Sequence, residues 1–84
     1  MEYIIKQEML SMSRAIYSKE HKHIVEQLKK ARKEAGLDQE KVAKLLGKTQ
    51  SYVSKVESGQ RRLDVVQLKE FAKIYRKSLN YFIK

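Results

Sequence analysis

Residues 45–62 read LLGKTQSYVSKVESGQRR, and this stretch allows two interpretations. Gly47-Lys48-Thr49 matches the end of a phosphate-binding loop, which would indicate a nucleotide-binding enzyme. That motif needs another glycine five residues earlier, where the chain has Val42, and a strand that leads into the loop. The residues before Gly47 have helical periodicity instead, so backbone N–H groups would not converge on a phosphate in the required way. We therefore reject the phosphate-loop interpretation.

A tight turn between two short helices accounts for more of the same residues. Gly47 tolerates the positive φ that such a turn requires, and Ala43 provides the small side chain needed where the helices cross. Thr49 is suited to cap the helix after the turn. Apolar positions expected to face inward follow on both sides of it: Val42, Leu45 and Leu46 before, Val53 and Val56 after. The stretch therefore predicts a helix-turn-helix.

The flanking sequence has the same periodicity and predicts an all-α fold. There is no proline, and Gly36, Gly47 and Gly59 separate the periodic segments. We predict a compact five-helix domain with helices over about residues 21–35, 39–46, 50–57, 64–75 and 78–83. The expected inward positions outside the central stretch are Ile24, Leu28, Ala31, Ala35, Val65, Leu68, Ala72, Tyr75, Leu79, Phe82 and Ile83, with Phe71 flanking them.

The first twenty residues differ from the rest, so we divide the chain into an N-terminal segment, residues 1–20, and a domain, residues 21–84. Strong helix caps are missing from the segment, although four apolar residues lie at helical spacing: Ile5, Met9, Met12 and Ile16. Two interpretations stay open. The segment is a frayed amphipathic helix or disordered arm, or it is a helix that packs onto the domain or onto a second subunit.

The composition favours a polyanionic partner. The 84 residues contain 19 Lys+Arg against 10 Asp+Glu, which gives a formal net charge of +9 and a pI near 9.9. A domain this basic is typical of nucleic-acid-binding proteins, and a merely soluble basic protein is the alternative. No apolar run exceeds three residues, so the sequence predicts neither a transmembrane helix nor a signal peptide and indicates a cytoplasmic protein.

The sequence offers little chemistry for catalysis or for a bound metal. It contains no cysteine, and His21 and His23 are two residues apart, so on a helix their side chains diverge by about 200°. No nucleophile lies next to a base, and no carboxylate pair suggests a cleft. We predict that the protein is not an enzyme and uses neither a metal nor another cofactor.

The stretch LDQEKVAKLLGKTQSYVSKVESGQ resembles the helix-turn-helix of the phage-repressor type, the lambda repressor/Cro-like or XRE family. The resemblance covers about residues 21–83 and is most specific in the middle; residues 1–20 have no counterpart. It implies a compact five-helix, lambda-repressor-like domain that binds DNA. The matching landmarks are Arg32, Gln39, Ala43, Gly47, Thr49-Gln50, Glu57-Ser58-Gly59 and the closing residues 78–82.

The resemblance also implies that the third helix, residues 50–57, enters the major groove. Gln50 is the strongest candidate for reading a base, because a side-chain amide can bond to adenine N6 and N7 and because it matches a base-reading glutamine of the family's repressors. Ser51 and Lys55 match two further reading positions. With Val53 and Val56 facing inward, the predicted base-reading set is Gln50, Ser51, Ser54 and Lys55.

Residues on both sides of this helix are predicted to contact the DNA backbone. Gln39 opens the second helix, where N–H groups and the helix dipole favour an anion. Gln60 stands where family members commonly carry a basic residue, so Arg61 and Arg62 are the expected cations of the loop. The predicted backbone set is Gln39, Lys48, Thr49, Tyr52, Ser58, Gly59, Gln60, Arg61 and Arg62.

One further pair is implied by the resemblance. Arg32 and Glu57 match an arginine–glutamate ion pair that is largely buried in similar repressors, where it ties the first helix to the third. We interpret this pair as structural.

These expectations describe a sequence-specific, double-stranded-DNA-binding transcriptional regulator, such as a repressor, that binds a roughly palindromic operator as a homodimer. The last helix is the first candidate for the dimer surface and the N-terminal segment is the second. The alternative is an antitoxin-type or anti-regulator protein-interaction module with the same fold. That module would bind a protein partner through residues 1–20 or 71–84.

Overall fold

The computed structural model of the chain describes residues 18–84. This part of the chain is folded into five α-helices without a strand: α1 (Lys19–Glu34), α2 (Gln39–Leu46), α3 (Gln50–Glu57), α4 (Val65–Tyr75) and α5 (Leu79–Ile83). The predicted all-α, five-helix architecture is confirmed. The predictions for the N-terminal segment lie, up to residue 17, outside the described residues.

The helices begin where the sequence provides an N-cap. Each of the first four helices follows a residue whose side chain accepts a hydrogen bond from the backbone N–H three positions later; these are Ser18, Asp38, Thr49 and Asp64. Asp64 and Gln67 form a complete capping box, with bonds of 2.7 and 3.0 Å. Ser18 explains why α1 begins at Lys19, two residues earlier than predicted.

Gly47 makes the turn that brings α2 and α3 together. It has φ 69°, in the left-handed region, and its N–H donates to the carbonyl of Lys44 at 3.2 Å. The next N–H, from Lys48, donates to the carbonyl of Ala43 at 2.8 Å. Carbonyls at the end of α2 are thereby satisfied within the turn, and the chain reverses directly into α3.

The core lies between all five helices and is built from aliphatic and aromatic side chains. α1 packs against α3, α4 and α5, while α2 packs against α3 and α4. The largest fully buried side chains are Leu28, Val42, Val53, Val56, Phe71 and Phe82. Ala43, at the predicted crossing of α2 and α3, is also buried. Phe71, which the sequence analysis placed beside the inward stripe, belongs to the centre of the core.

Four predicted core positions were wrong. Leu45, Val65 and Ile83 are exposed by 59, 62 and 55%, and Ala35 is exposed as well. Three of these residues lie at helix ends: Ala35 follows the last residue of α1, Val65 begins α4 and Ile83 ends α5. Leu45 falls outside the arc of α2 that faces the core. On α1, Val25 is buried, although it was not among the predicted inward positions.

Candidate nucleic-acid interface

The exposed face of α3 is polar. Val53 and Val56 turn into the core, and the opposite face carries the four predicted base-reading residues, all of them exposed: Gln50, Ser51, Ser54 and Lys55. Their amide, hydroxyl and ammonium groups are the kinds that hydrogen-bond to base edges in a major groove. The fold therefore presents this set on one accessible helical surface.

Of the predicted backbone-contacting residues before α3, Lys48 is an exposed cation, whereas Thr49 and Gln39 make hydrogen bonds within the protein. Lys48, in the turn, is exposed and carries its charge at the start of the helix. Thr49 is exposed too, but its hydroxyl already accepts the N–H of Tyr52 at 3.1 Å as the helix cap. Gln39 is half-buried, and its side-chain amide donates to Glu57 Oε1 at 3.1 Å. Gln39 thus joins a structural network in addition to standing at the start of α2.

The loop after α3 folds back on the last turn of that helix. The Lys55 carbonyl accepts the backbone N–H groups of Gln60 and Arg61 at 3.0 and 3.2 Å, together with the Ser58 hydroxyl at 3.1 Å. Among the five predicted backbone-contacting residues of this loop, four are exposed: Ser58, Gln60, Arg61 and Arg62. The loop therefore holds two arginines at the surface immediately beside the C-terminal end of α3.

Gly59 differs from its neighbours in the loop because it is buried. It has φ 82°, and the ring of His21, at the start of α1, donates from Nε2 to its carbonyl at 3.3 Å. Sequence reasoning considered His21 only as a metal ligand and missed this contact. The two residues are 38 positions apart, and no local pattern joins them.

Tyr52 lies between the two flanks of α3. Its ring is half-buried and stacks on Phe71 with ring centroids 6.3 Å apart. The guanidinium carbon of Arg61 is 4.9 Å from the ring centroid of Tyr52, and Lys48 Nζ is 5.5 Å from it. Burial raises the pKa of Tyr52 above its usual range, although Arg61 opposes that shift. The phenol is therefore neutral at physiological pH while two cations lie against it.

Arg32 and Glu57 form a two-point ion pair beneath this surface. Arg32 Nε donates to Glu57 Oε2 at 2.8 Å, and Nη2 donates to Oε1 at 3.1 Å. Arg32 Nη1 also donates to the carbonyl of Leu37 at 2.9 Å. The hydrogen bond with Glu57 raises the pKa of Arg32, and burial opposes this only in part. The pair thus fixes the end of α3 against α1 and against the loop before α2.

Two kinds of feature are absent from the described residues. Across residues 18–84, no three His, Cys, Asp or Glu side chains are grouped as metal ligands would be. In the same part of the chain, no helix combines the length and the apolar character needed to cross a bilayer.

A family model described as helix-turn-helix matches residues 28–82, which run from the middle of α1 into α5. This is more than half of the chain and includes α2, the Gly47 turn and α3 entirely. No curated protein and no solved structure matches the chain significantly.

Proposed function

The chain belongs to the helix-turn-helix family of the lambda repressor/Cro-like, XRE type, a family of DNA-binding regulators, and we propose that it recognises a specific double-stranded operator. The observation that carries the proposal is the face of α3. Its apolar side closes the core, and every residue on its other side is polar and exposed. In the proposed complex this face lies in the major groove.

Base recognition is assigned to the residues of that face. Gln50 is the first residue of α3, where recognition helices of this type approach base edges, and its amide is suited to bond to adenine N6 and N7. Lys55, in the last turn, is suited to guanine O6 and N7. Ser51 and Ser54 lie between them and can donate to or accept from either kind of base pair.

Phosphate binding is assigned to the flanks of α3. Lys48 before the helix and Arg61 and Arg62 after it are exposed, and the chain as a whole carries a formal net charge of +9. Each phosphate that the protein neutralises releases counterions, so affinity should fall steeply with salt. Thr49, Ser58 and Gln60 are proposed to add neutral contacts to the backbone, as are the N-terminus of α2 at Gln39 and the Gly59 main chain.

We further propose that the protein binds as a homodimer. Two copies related by a twofold axis would place their α3 helices in successive major grooves of a roughly palindromic operator, with half-site centres about 34 Å apart. The last helix is proposed as the dimer surface, where covering Ile83, now exposed by 55%, would remove apolar area from water. A regulator of this kind acts as a repressor where its operator overlaps a promoter.

Selection of bound duplexes from a random library tests the proposal. It is done at about 150 mM salt, close to physiological ionic strength, with the Gln50→Ala variant as the matched control. We expect a palindrome with ~10 bp between half-site centres, and a variant that loses preference at one base pair of each half-site. Uniform binding that vanishes as salt rises would contradict sequence-specific recognition. It would favour the protein-interaction module, with binding to DNA reduced to general polyanion affinity.

A further inference from the structure

We propose that Tyr52 is a positioning residue whose ring holds Lys48 and Arg61 in place for two DNA phosphates, one on each flank of α3. The inference rests on the proposed function and deepens it. From its sequence position, Tyr52 itself is predicted to contact the DNA backbone. The geometry points to a different role, in which its ring acts through the two cations beside it.

The ring of Tyr52 is well fixed. It belongs to the first turn of α3, where the Tyr52 backbone N–H is bound by the Thr49 cap at 3.1 Å. One part of the ring packs on Phe71, which is only 1% exposed and lies in the core on α4. A side chain anchored at both its backbone and its ring is a firm platform for more mobile groups.

The two cations reach this ring from separate parts of the chain. Lys48 comes from the turn before α3 with Nζ 5.5 Å from the ring centroid, and Arg61 comes from the loop after α3 with its guanidinium carbon at 4.9 Å. Both distances lie within the range of about 6 Å over which a cation is attracted to an aromatic ring. Tyr52 is therefore the group that joins the two flanks of the recognition helix.

Ordering these cations before DNA arrives should strengthen binding. Long Lys and Arg side chains lose rotamer freedom when they are fixed against a phosphate, and that loss opposes association. A ring that already restricts them removes part of this cost. The cations keep N–H donors for phosphate, because a guanidinium has five and an ammonium has three, and an attraction to a ring face does not require them.

The test is a set of double-mutant cycles measured on the selected operator. Tyr52→Leu removes the ring while keeping an apolar side chain against Phe71, and Tyr52→Phe keeps the ring without the hydroxyl. Each is combined with Arg61→Ala and, as the matched control, with Arg62→Ala, because Arg62 is a neighbouring exposed cation of the same loop for which no contact with the ring is found in residues 18–84. Thermal unfolding accompanies every variant.

We expect Tyr52→Leu to weaken operator binding roughly tenfold, because two long side chains would then lose their rotamer freedom only on binding DNA, and we expect Tyr52→Phe to stay within about twofold. In the Arg61→Ala background, the effect of Tyr52→Leu should shrink to roughly threefold, because only Lys48 is left to position. In the Arg62→Ala background the full tenfold effect should remain. Should the leucine variant unfold, Tyr52→Met replaces it in the same cycles, since Met fills irregular apolar space well.

Three outcomes would overturn the inference. An equal loss from Tyr52→Leu in both arginine backgrounds would mean that the ring acts independently of Arg61. A loss in Tyr52→Phe as large as in Tyr52→Leu would mean that the hydroxyl contacts DNA directly. Failure of the unaltered protein to bind DNA in a sequence-dependent way would overturn the proposed function as well, whereas normal operator binding without coupling would overturn this inference alone.

Discussion

Arg32 and Glu57 are joined by two hydrogen bonds of 2.8 and 3.1 Å across 25 positions of sequence, and the Glu57 side chain is only 4% exposed. Glu57 is the last residue of α3, so the pair connects the end of α3 to the last turn of α1. Gln39 adds a third donor to the same carboxylate at 3.1 Å. The orientation of α3 therefore depends on a buried polar network as well as on the apolar core.

Removing one partner of this pair should be costly. In Glu57→Gln, the guanidinium of Arg32 would remain largely buried without a counter-charge, and we expect a loss of roughly 3–5 kcal/mol in the free energy of unfolding. Urea denaturation measures it. The control is Glu26→Gln, because Glu26 pairs with Lys29 at 3.2 Å on the surface of α1 and is 70% exposed; that change should stay within about 0.5 kcal/mol. Equal midpoints for the two variants would contradict the structural role.

Local signals were sufficient to predict the helix-turn-helix. Asp38, Thr49 and Asp64 are capping residues that act over three positions, and Gly47 acts through its own φ. The structure places Thr49 and Gly47 as the sequence indicated, because such interactions need no knowledge of the rest of the chain. Ser18 is also a local cap, but it lies within residues 1–20, which were assigned to the N-terminal segment. The start of α1 was therefore predicted two residues too late.

Long-range relationships could not be predicted in this way. The stacking of Tyr52 on Phe71, the two cations against Tyr52 and the contact between His21 and Gly59 join residues of different helices and loops. Hydrophobic periodicity indicates which side of a helix is apolar, but it does not indicate how far the neighbouring helices extend and therefore which apolar residues they cover. Val65 and Ile83 have suitable side chains for a core and are exposed because nothing in residues 18–84 covers those helix ends.

Tyr75 should make the protein sensitive to alkali. Its ring is buried in the core, and its hydroxyl oxygen has no hydrogen-bond partner among residues 18–84. Burial raises the pKa of Tyr75 above the ordinary tyrosine value of about 10, because the phenolate would lose its hydration. The folded state therefore holds this proton more tightly than the unfolded state. The resulting stability is complete below pH ~10 and is lost as pH rises beyond it.

Tyr75→Phe tests this prediction through urea denaturation at two pH values. At pH 7 we expect no loss of stability, because the change removes a buried oxygen without a partner. At pH 11 the variant should be more stable than the unaltered protein, by less than about 1.4 kcal/mol, the limit for one proton over one pH unit. Tyr81→Phe, which removes the other buried hydroxyl without a partner in residues 18–84, is the control at pH 7. A variant less stable at pH 11 would refute the burial argument.

Gly59 should matter for DNA binding through its backbone conformation. It has φ 82°, and a methyl group added there would meet no atom within 4 Å, so Gly59→Ala introduces backbone strain without a clash. We expect a loss of about 1–2 kcal/mol in stability, together with weaker operator binding because the loop carries Arg61 and Arg62. Gly36→Ala is the matched control, since Gly36 has φ 71° and equally open surroundings at the end of α1. It should lose similar stability and keep its operator affinity.

Gln50 and Arg62 should differ in how their removal depends on the DNA sequence. Both residues are exposed on the surface that we propose contacts DNA. Gln50 is the first residue of α3, and Arg62 lies in the loop after α3. Gln50→Ala removes hydrogen bonds to one base pair, so binding to the selected operator should weaken by about 1–3 kcal/mol. Against an operator altered at that base pair, the same substitution should cost little. Arg62→Ala removes a charge that we propose faces phosphate, so it should weaken binding to both operators alike and reduce the slope of log affinity against log salt by about 0.9. Titrations of both variants on both duplexes at several salt concentrations measure this contrast.

Two results would contradict these roles. If Arg62→Ala weakened binding to only one operator, Arg62 would be assigned to base recognition. If Gln50→Ala weakened binding to both operators equally, Gln50 would be removed from the base-reading set.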